Sequence, residues 1–281
     1  MKRIKNVFTT IPLLLMTGSL LFCSCTTGRY IYVATPPNNP YFVKKGDSKI
    51  GAYYSSSGGN IAENKFARGT DLKGAYAAGK QWALAASYSD RKEKDVYDYG
   101  GYQSVFRNSE VNYKRNFAEF AAGIFAAINP KKTITLNFFA GGGTGKFSFS
   151  DNGYDVNKAN YSRYYSANST KLFFQPSINF ITSEYFRFAL ILKSSYVHYK
   201  NTETNYTNTE LEYFRLADLN KHTFNFVEPA WSFQFGLPKY PWIKIEWTLS
   251  NVANHPFEND NIRQNNYSVG FTFDISKMKM K

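Results

Sequence analysis

Tyr267–Ile275 reads YSVGFTFDI, with Tyr267, Val269, Phe271, Phe273 and Ile275 on one side of an extended chain and Ser268, Gly270, Thr272 and Asp274 on the other. A period of two with one apolar face is the signature of a strand. Upstream, Ile243, Ile245, Trp247 and Leu249 oppose Lys244, Glu246, Thr248 and Ser250. Phe186, Phe188, Leu190 and Leu192 likewise oppose Arg187, Ala189, Ile191 and Lys193. No helical periodicity is sustained. Extending the rule predicts ten strands, at 48–57, 68–78, 81–91, 113–128, 131–149, 170–182, 186–200, 221–237, 241–254 and 263–276.

The connections supply a second regularity. Those after the second, fourth, sixth and eighth strands are tight: Gly79-Lys80, Asn129-Pro130, Ser183-Glu184-Tyr185 and Pro238-Lys239-Tyr240. The others, 58–67, 92–112, 150–169, 201–220 and 255–262, are long and rich in Asn, Ser, Gly, Asp and Tyr. Barrels in outer membranes alternate short periplasmic turns with long outer loops in this way. The expected fold is therefore all-β, an antiparallel up-and-down transmembrane β-barrel of about ten strands, within a range of eight to twelve. An even count returns both barrel ends to the short-turn side. Gly141–Gly145 is expected to form a bulge that shifts the apolar phase onto Phe147 and Phe149, and further bulges are expected at Pro229 and Pro176. The glycine run lacks the Gly-Lys-Ser/Thr ending of a phosphate loop.

Alternation alone fits a soluble lipocalin-like periplasmic barrel equally well. Side-chain size separates the two. The polar face is built from small residues such as Gly51, Ser55, Ala75, Ala85, Ala121, Ser177, Ala230 and Gly270, as a crowded lumen requires. Its charges nearly balance: Lys49, Lys73, Arg91, Arg187, Lys193 and Lys244 stand against Asp71, Glu119, Glu228, Glu246 and Asp274. In a narrow tube such charges are expected to pair. Trp82, Tyr185, Phe186, Tyr240 and Trp242 flank the short turns, while Tyr54, Tyr88, Tyr113, Tyr196 and Tyr199 lie toward the long loops, as two interfacial bands would.

At the other end of the chain, Lys2, Arg3 and Lys5 precede an apolar core from Ile11 to Phe22, and the two cysteines of the chain, Cys23 and Cys25, close it. The Phe-Cys-Ser-Cys run resembles a bacterial lipoprotein signal, which implies cleavage after residue 24 and an acylated, palmitate-bearing Cys25. A metal chelate would need further ligands, and only His198, His222 and His255 are on offer. The expected organisation is a signal peptide at 1–24, a lipid-anchored linker at 25–47 and a barrel at 48–281. Pro36–Pro40 reads as an extended, weakly structured linker. RYIYVA, at 29–34, fits either a short extra strand or a plug. The first acidic residue after Cys25 is Asp47, which favours an anchor facing the periplasm. Removing three basic residues lowers the net charge from +13 to +10. A basic exported surface suits anionic lipid headgroups or polyanionic glycans and argues against nucleic acid.

PPNNPYFVKKGDSKIGAYYS, followed by GTDLKGAYAAGKQWALAASYS, resembles the opening of a group of uncharacterised outer-membrane β-barrel lipoproteins of Bacteroidota. That resemblance, close over residues 25–90, implies an outer-membrane location with the N-terminus on the periplasmic side. It transfers no catalytic residue, metal or cofactor.

Three functional readings compete. An omptin-like protease would use His198, His222 and Asp218, but the acid pairing and Asp-x-His of that family are missing, so no enzyme is expected. A narrow solute pore is opposed by the size of a ten-strand lumen. The third reading is a surface binding or scaffold protein, with Tyr97, Tyr99, Tyr102, Tyr161, Tyr164 and Tyr165 as the contact residues for a glycan or protein. Against it stands the possibility that these rings only pack over the barrel mouth.

Overall fold

Side-chain alternation closes into a sheet. The computed structural model describes residues 29–57, 66–98, 106–155, 157, 159–237, 239–254 and 262–278. Ten antiparallel strands form the barrel: β1 (Ser48–Ser57), β2 (Phe66–Tyr76), β3 (Trp82–Asp98), β4 (Phe106–Ala127), β5 (Ile134–Asp155), β6 (Asn160–Ile181), β7 (Phe186–Thr204), β8 (Thr223–Leu237), β9 (Tyr240–Asn251) and β10 (Asn265–Asp274). Each pairs with its chain neighbours, and β10 closes the ring on β1 with Phe273 opposite Ile50. Ala253–Asn254 prolongs the pairing of β9 with β8, and Tyr32–Val33 pairs in parallel with Ile262–Arg263.

The apolar face points outward. Leu72, Trp82, Phe120, Leu172 and Phe271 are all more than half exposed, a belt that only hydrocarbon would cover. Inside, the small residues expected to crowd the lumen do something more specific. Ala75, Ala77, Ala83, Ala85 and Ala121 pack, together with Phe125, Phe139 and Phe173, around Phe42. They leave room for a segment of the chain itself.

Several expectations need correction. Residues 92–112 and 150–169 are mostly strand, since β3–β6 run 17 to 22 residues each. Above the apolar belt the outward positions are Asp90, Lys92, Lys114 and Asn152, so the outer face turns polar although pairing continues. Gly141–Gly145 contains no bulge: pairing with β4 runs without a break from Asn108↔Tyr154 to Ala127↔Thr135. Phe147 and Phe149 therefore face the lumen. The glycines serve close approach instead, because a Cβ on Gly143 would meet the Phe117 ring at 2.5 Å. Pro229 and Pro176 also keep register with their neighbours. Bulges occur elsewhere, as between Ser166 and Asn168, opposite the stretch where Asn201 takes φ 51°. Tyr113 and Tyr199, assigned to the outer aromatic band, are buried inward.

Candidate functional site

Residues 29–43 thread the barrel from end to end. Pro36–Pro40 is extended, as read from sequence, but it lies inside the tube and not between lipid and barrel. A proline-rich stretch suits this position because it carries few N–H groups to satisfy. Its carbonyls take donors from the wall. Lys73 donates to Pro37 O (3.2 Å), Gln175 to Asn38 O (3.1 Å), Lys49 to Asn39 O (3.3 Å) and Asn137 to Pro40 O (2.8 Å). The side chains of the segment reciprocate. Asn38 donates to Gly74 O and Ala86 O at 2.8 and 2.9 Å, and Asn39 donates to Asn179 Oδ1 at 2.7 Å.

These contacts give the direction of the thread. Phe42 and Tyr41 sit near the short turns, where Tyr41 OH donates to Ser232 O (3.1 Å). Midway, Thr35 donates to Glu119 (3.0 Å) and Tyr32 OH to Glu228 (2.7 Å). At the long-loop end Arg29, fully buried, pairs with Asp151 at 2.6 Å beneath Phe214, whose ring centroid is 4.0 Å from the guanidinium carbon. Strand parity returns Ser48 and Asp274 to the short-turn side as expected. The lumen segment then adds an eleventh crossing and carries Arg29 to the opposite end.

The predicted lumen charges all face inward, and most of them are paired. Glu246 accepts from Lys49 (2.6 Å), and Asp71 from Arg91 (3.1 Å). Glu119 lies between Lys171 (2.6 Å) and Lys193 (2.9 Å), and Asp274 takes Lys244 with Arg187 at 3.7 Å. Glu228 accepts from Tyr32 and Ser195, while Lys73 rests over the Tyr53 ring at 4.2 Å. Sequence reading missed Lys171, Arg115, Glu93, Asp95, Asp151 and Arg263. Glu93 joins Arg115 (2.8 Å) to Arg263 (2.6 Å), and Arg263 also binds Asp95. Their parity was the available signal: 91, 93 and 95 share a face, but Lys92 and Lys94 between them hid it.

The mouth is roofed. Residues 205–222 include a six-residue helix, α1 (Asn208–Tyr213), whose N-terminus carries a capping box between Thr207 and Glu210. Phe214, Leu216 and Leu219 bury against an aromatic cluster that includes Phe147, Phe149, Tyr165 and Tyr199. Tyr206 donates to Asp151 at 2.5 Å and so joins the roof to the Arg29 seat. Of the six tyrosines read as contact residues, Tyr97 and Tyr165 are buried in this packing, and Tyr161 is half-buried with its hydroxyl on Asp151 (3.2 Å). Tyr164 is exposed, as are Tyr154 and Tyr213; Tyr99 and Tyr102 lie outside the described residues, as do Cys25 and the signal segment.

Apolar outside, ion-paired inside and closed by ten strands, the architecture answers the question posed by alternation. The fold is an outer-membrane β-barrel. Neither a family model nor a curated protein sequence matches the chain. Among solved structures it is similar to the translocator domain of the autotransporter NalP from Neisseria meningitidis, at 10% identity and a TM-score of 0.48 over 96% of this chain and 95% of that one. It is also similar to Ail, the attachment invasion locus protein of Yersinia pestis, at 15% identity and a TM-score of 0.29 over 82% and 98%. The outer membrane protease OmpT from Escherichia coli gives 10% and 0.38 over 81% and 95%. Likeness at this level says nothing of what this chain binds or does. Of the residues considered for catalysis, Asp218 pairs with Lys221 at 2.7 Å on the surface, and His198 Nδ1 lies 3.3 Å from the His222 carbonyl. His255 lies outside the described residues.

Proposed function

We propose that the protein is an occluded surface barrel of the outer membrane, acylated at Cys25, that works as a binding or scaffold platform and not as a pore or an enzyme. The observation that carries this reading is the filled lumen. Beside Ile31–Thr35 the remaining void is about 50 Å³, room for a water or two but not for a solute path. With the conduit closed, surface is left to do the work. The β5–β6 hairpin stands clear of the apolar belt and presents Tyr154 and Tyr164 outward, with Tyr213 exposed on α1. Aromatic rings held on paired strands offer contact area at small entropic cost, to a sugar or to a protein.

The thread also bears on orientation. If long loops face outward, as they do in such barrels, Arg29 is on the cell exterior and the chain ahead of it emerges there. An acylated Cys25 then belongs to the outer leaflet, in place of the periplasmic seat expected from strand parity. A peptide tag inserted after Gly28 tests this. Antibody should reach it on intact cells; labelling seen only after the outer membrane is opened would reject the reading. Binding is tested separately with glycan arrays and pull-downs. The triple variant Tyr154→Ala, Tyr164→Ala, Tyr213→Ala should lose the ligand that the unaltered protein retains.

A further inference from the structure

Just above the apolar belt, one side of the outer wall carries a row of cations. Lys92 on β3 stands directly opposite Lys114 on β4, and also opposite Arg68 on β2. Lys146 on β5 lies diagonal to Lys114, and Asn168 alone separates it from Lys200 on β7. All five side chains point outward and are exposed. Like charges directly opposite each other on neighbouring strands destabilise a sheet. Lys94, two residues further on, shows the ordinary remedy: it pairs with Glu110 at 2.8 Å. Lys92, Lys114, Lys146 and Lys200 have no such ion pair among the described residues, although exposed Asp90 is near Lys92 and exposed Glu203 shares a surface hollow with Lys146. Two carboxylates near five cations leave an excess of positive charge that an anion from outside the protein would balance.

Height identifies its source. Lys92 lies four residues beyond Tyr88 on its strand, and Lys200 four beyond Tyr196, both rings being exposed in the outer aromatic band. On β4, which runs the opposite way, Lys114 lies four residues above Ala118, and on β5 Lys146 lies four above Gly142. Four residues rise about 13 Å along a strand, or roughly 10 Å in height at the usual tilt. That is the headgroup layer, where aromatic rings mark its lower edge. A glycan or protein ligand would have no reason to be met at this level on each of four strands.

We propose that Lys92, Lys114, Lys146 and Lys200 form a belt that binds the phosphate groups of the outer-leaflet glycolipid and locks the barrel at a fixed depth. The proposal rests on the membrane orientation given above. Its test in detergent does not depend on that orientation, so the two can fail separately.

Thermal unfolding of the purified full chain, with bisphosphorylated lipid A or its dephosphorylated form added, is the experiment. The phosphorylated lipid should raise Tm and the dephosphorylated one should not. Each lysine near an anionic surface contributes roughly a fivefold change in affinity. The variant Lys92→Gln, Lys114→Gln, Lys146→Gln, Lys200→Gln should therefore bind at least about tenfold more weakly, while Lys131→Gln, Lys132→Gln at the short-turn end binds normally. Lys114→Gln alone adds a sign that a structural defect would not give: without lipid its Tm should rise, and with lipid its gain should shrink. Equal response to the two lipids, an unchanged quadruple variant, or a soluble phosphorylated oligosaccharide bound as tightly through the same lysines would overturn the proposal.

Discussion

Glu119 shows what a buried charge demands of its neighbours. It lies inside the barrel with Lys171 at 2.6 Å and Lys193 at 2.9 Å, and Thr35 of the lumen segment donates to it. Removing one member of such a group leaves the others charged in a buried site, which costs about 3–5 kcal/mol, whereas replacing the whole set with apolar isosteres is often near neutral. Glu119→Gln should therefore lower the unfolding free energy by that amount in urea titrations of refolded barrel. The triple variant Glu119→Gln, Lys171→Met, Lys193→Met should recover most of it; failure to recover would show that the network is not a closed unit. Glu119 and Lys193 were legible from parity alone. Lys171 was not singled out because it stands at the edge of the predicted strand, next to a loop that proved to be strand.

At the scale of elements, the roof is held by one helix end. Thr207 caps α1 and Glu210 returns the bond, while Arg163 from β6 holds the same carboxylate at 3.1 Å. Burial raises the Glu210 pKa, but the hydrogen bonds from Arg163 and Thr207 outweigh it, and the carboxyl titrates below the ordinary range. A depressed folded pKa means that this contribution is complete above the unfolded value and is lost as pH falls through the folded one. Amides of 211–217 should accordingly exchange faster as pH drops through the acid range, after correction for intrinsic rates, and Glu210→Gln should flatten that dependence. Thr207→Ala should cost the helix about 1 kcal/mol at neutral pH. Sequence gave little access to this element: a six-residue helix has no periodicity to detect, and the cap Thr-Asn-Thr-Glu sat in a stretch read as loop. The lumen segment is a similar case. RYIYVA was open between strand and plug because its alternation fits both, and only the surrounding wall decides. If that segment is what closes the lumen, deleting residues 29–43 should turn a silent protein into one that conducts in planar bilayers. Heat-dependent gel mobility, unchanged by the deletion, would show that the barrel itself still folds.

On the scale of the molecule, the ring of strands was readable because hydrocarbon and lumen impose opposite preferences on alternate residues. The collar above the belt was not, since its outer face is polar and its interior mixes ion pairs with the aromatic cluster around Phe147 and Phe149, so the apolar phase inverts partway along one strand. The consequence is geometric. Asp151 stands nine residues beyond Gly142 on β5, which at ~3.3 Å per residue and a tilt near 40° is about 20 Å above the apolar belt. The four residues from Cys25 to Arg29 reach about 14 Å at most. Even with the cysteine side chain and its glycerol added, an acyl chain on Cys25 enters hydrocarbon only with this stretch drawn out to its full length, so anchoring pulls against the seating of Arg29 on Asp151. Hydrogen exchange of the acylated protein in lipid should show weak protection at residues 30–33 and strong protection at 35–42. A secreted form carrying Cys25→Ser behind an ordinary signal peptide should protect both stretches. Equal protection of residues 30–33 in the two forms would mean that the lipid exerts no pull on the segment, and the placement of Cys25 in the outer leaflet would have to be abandoned.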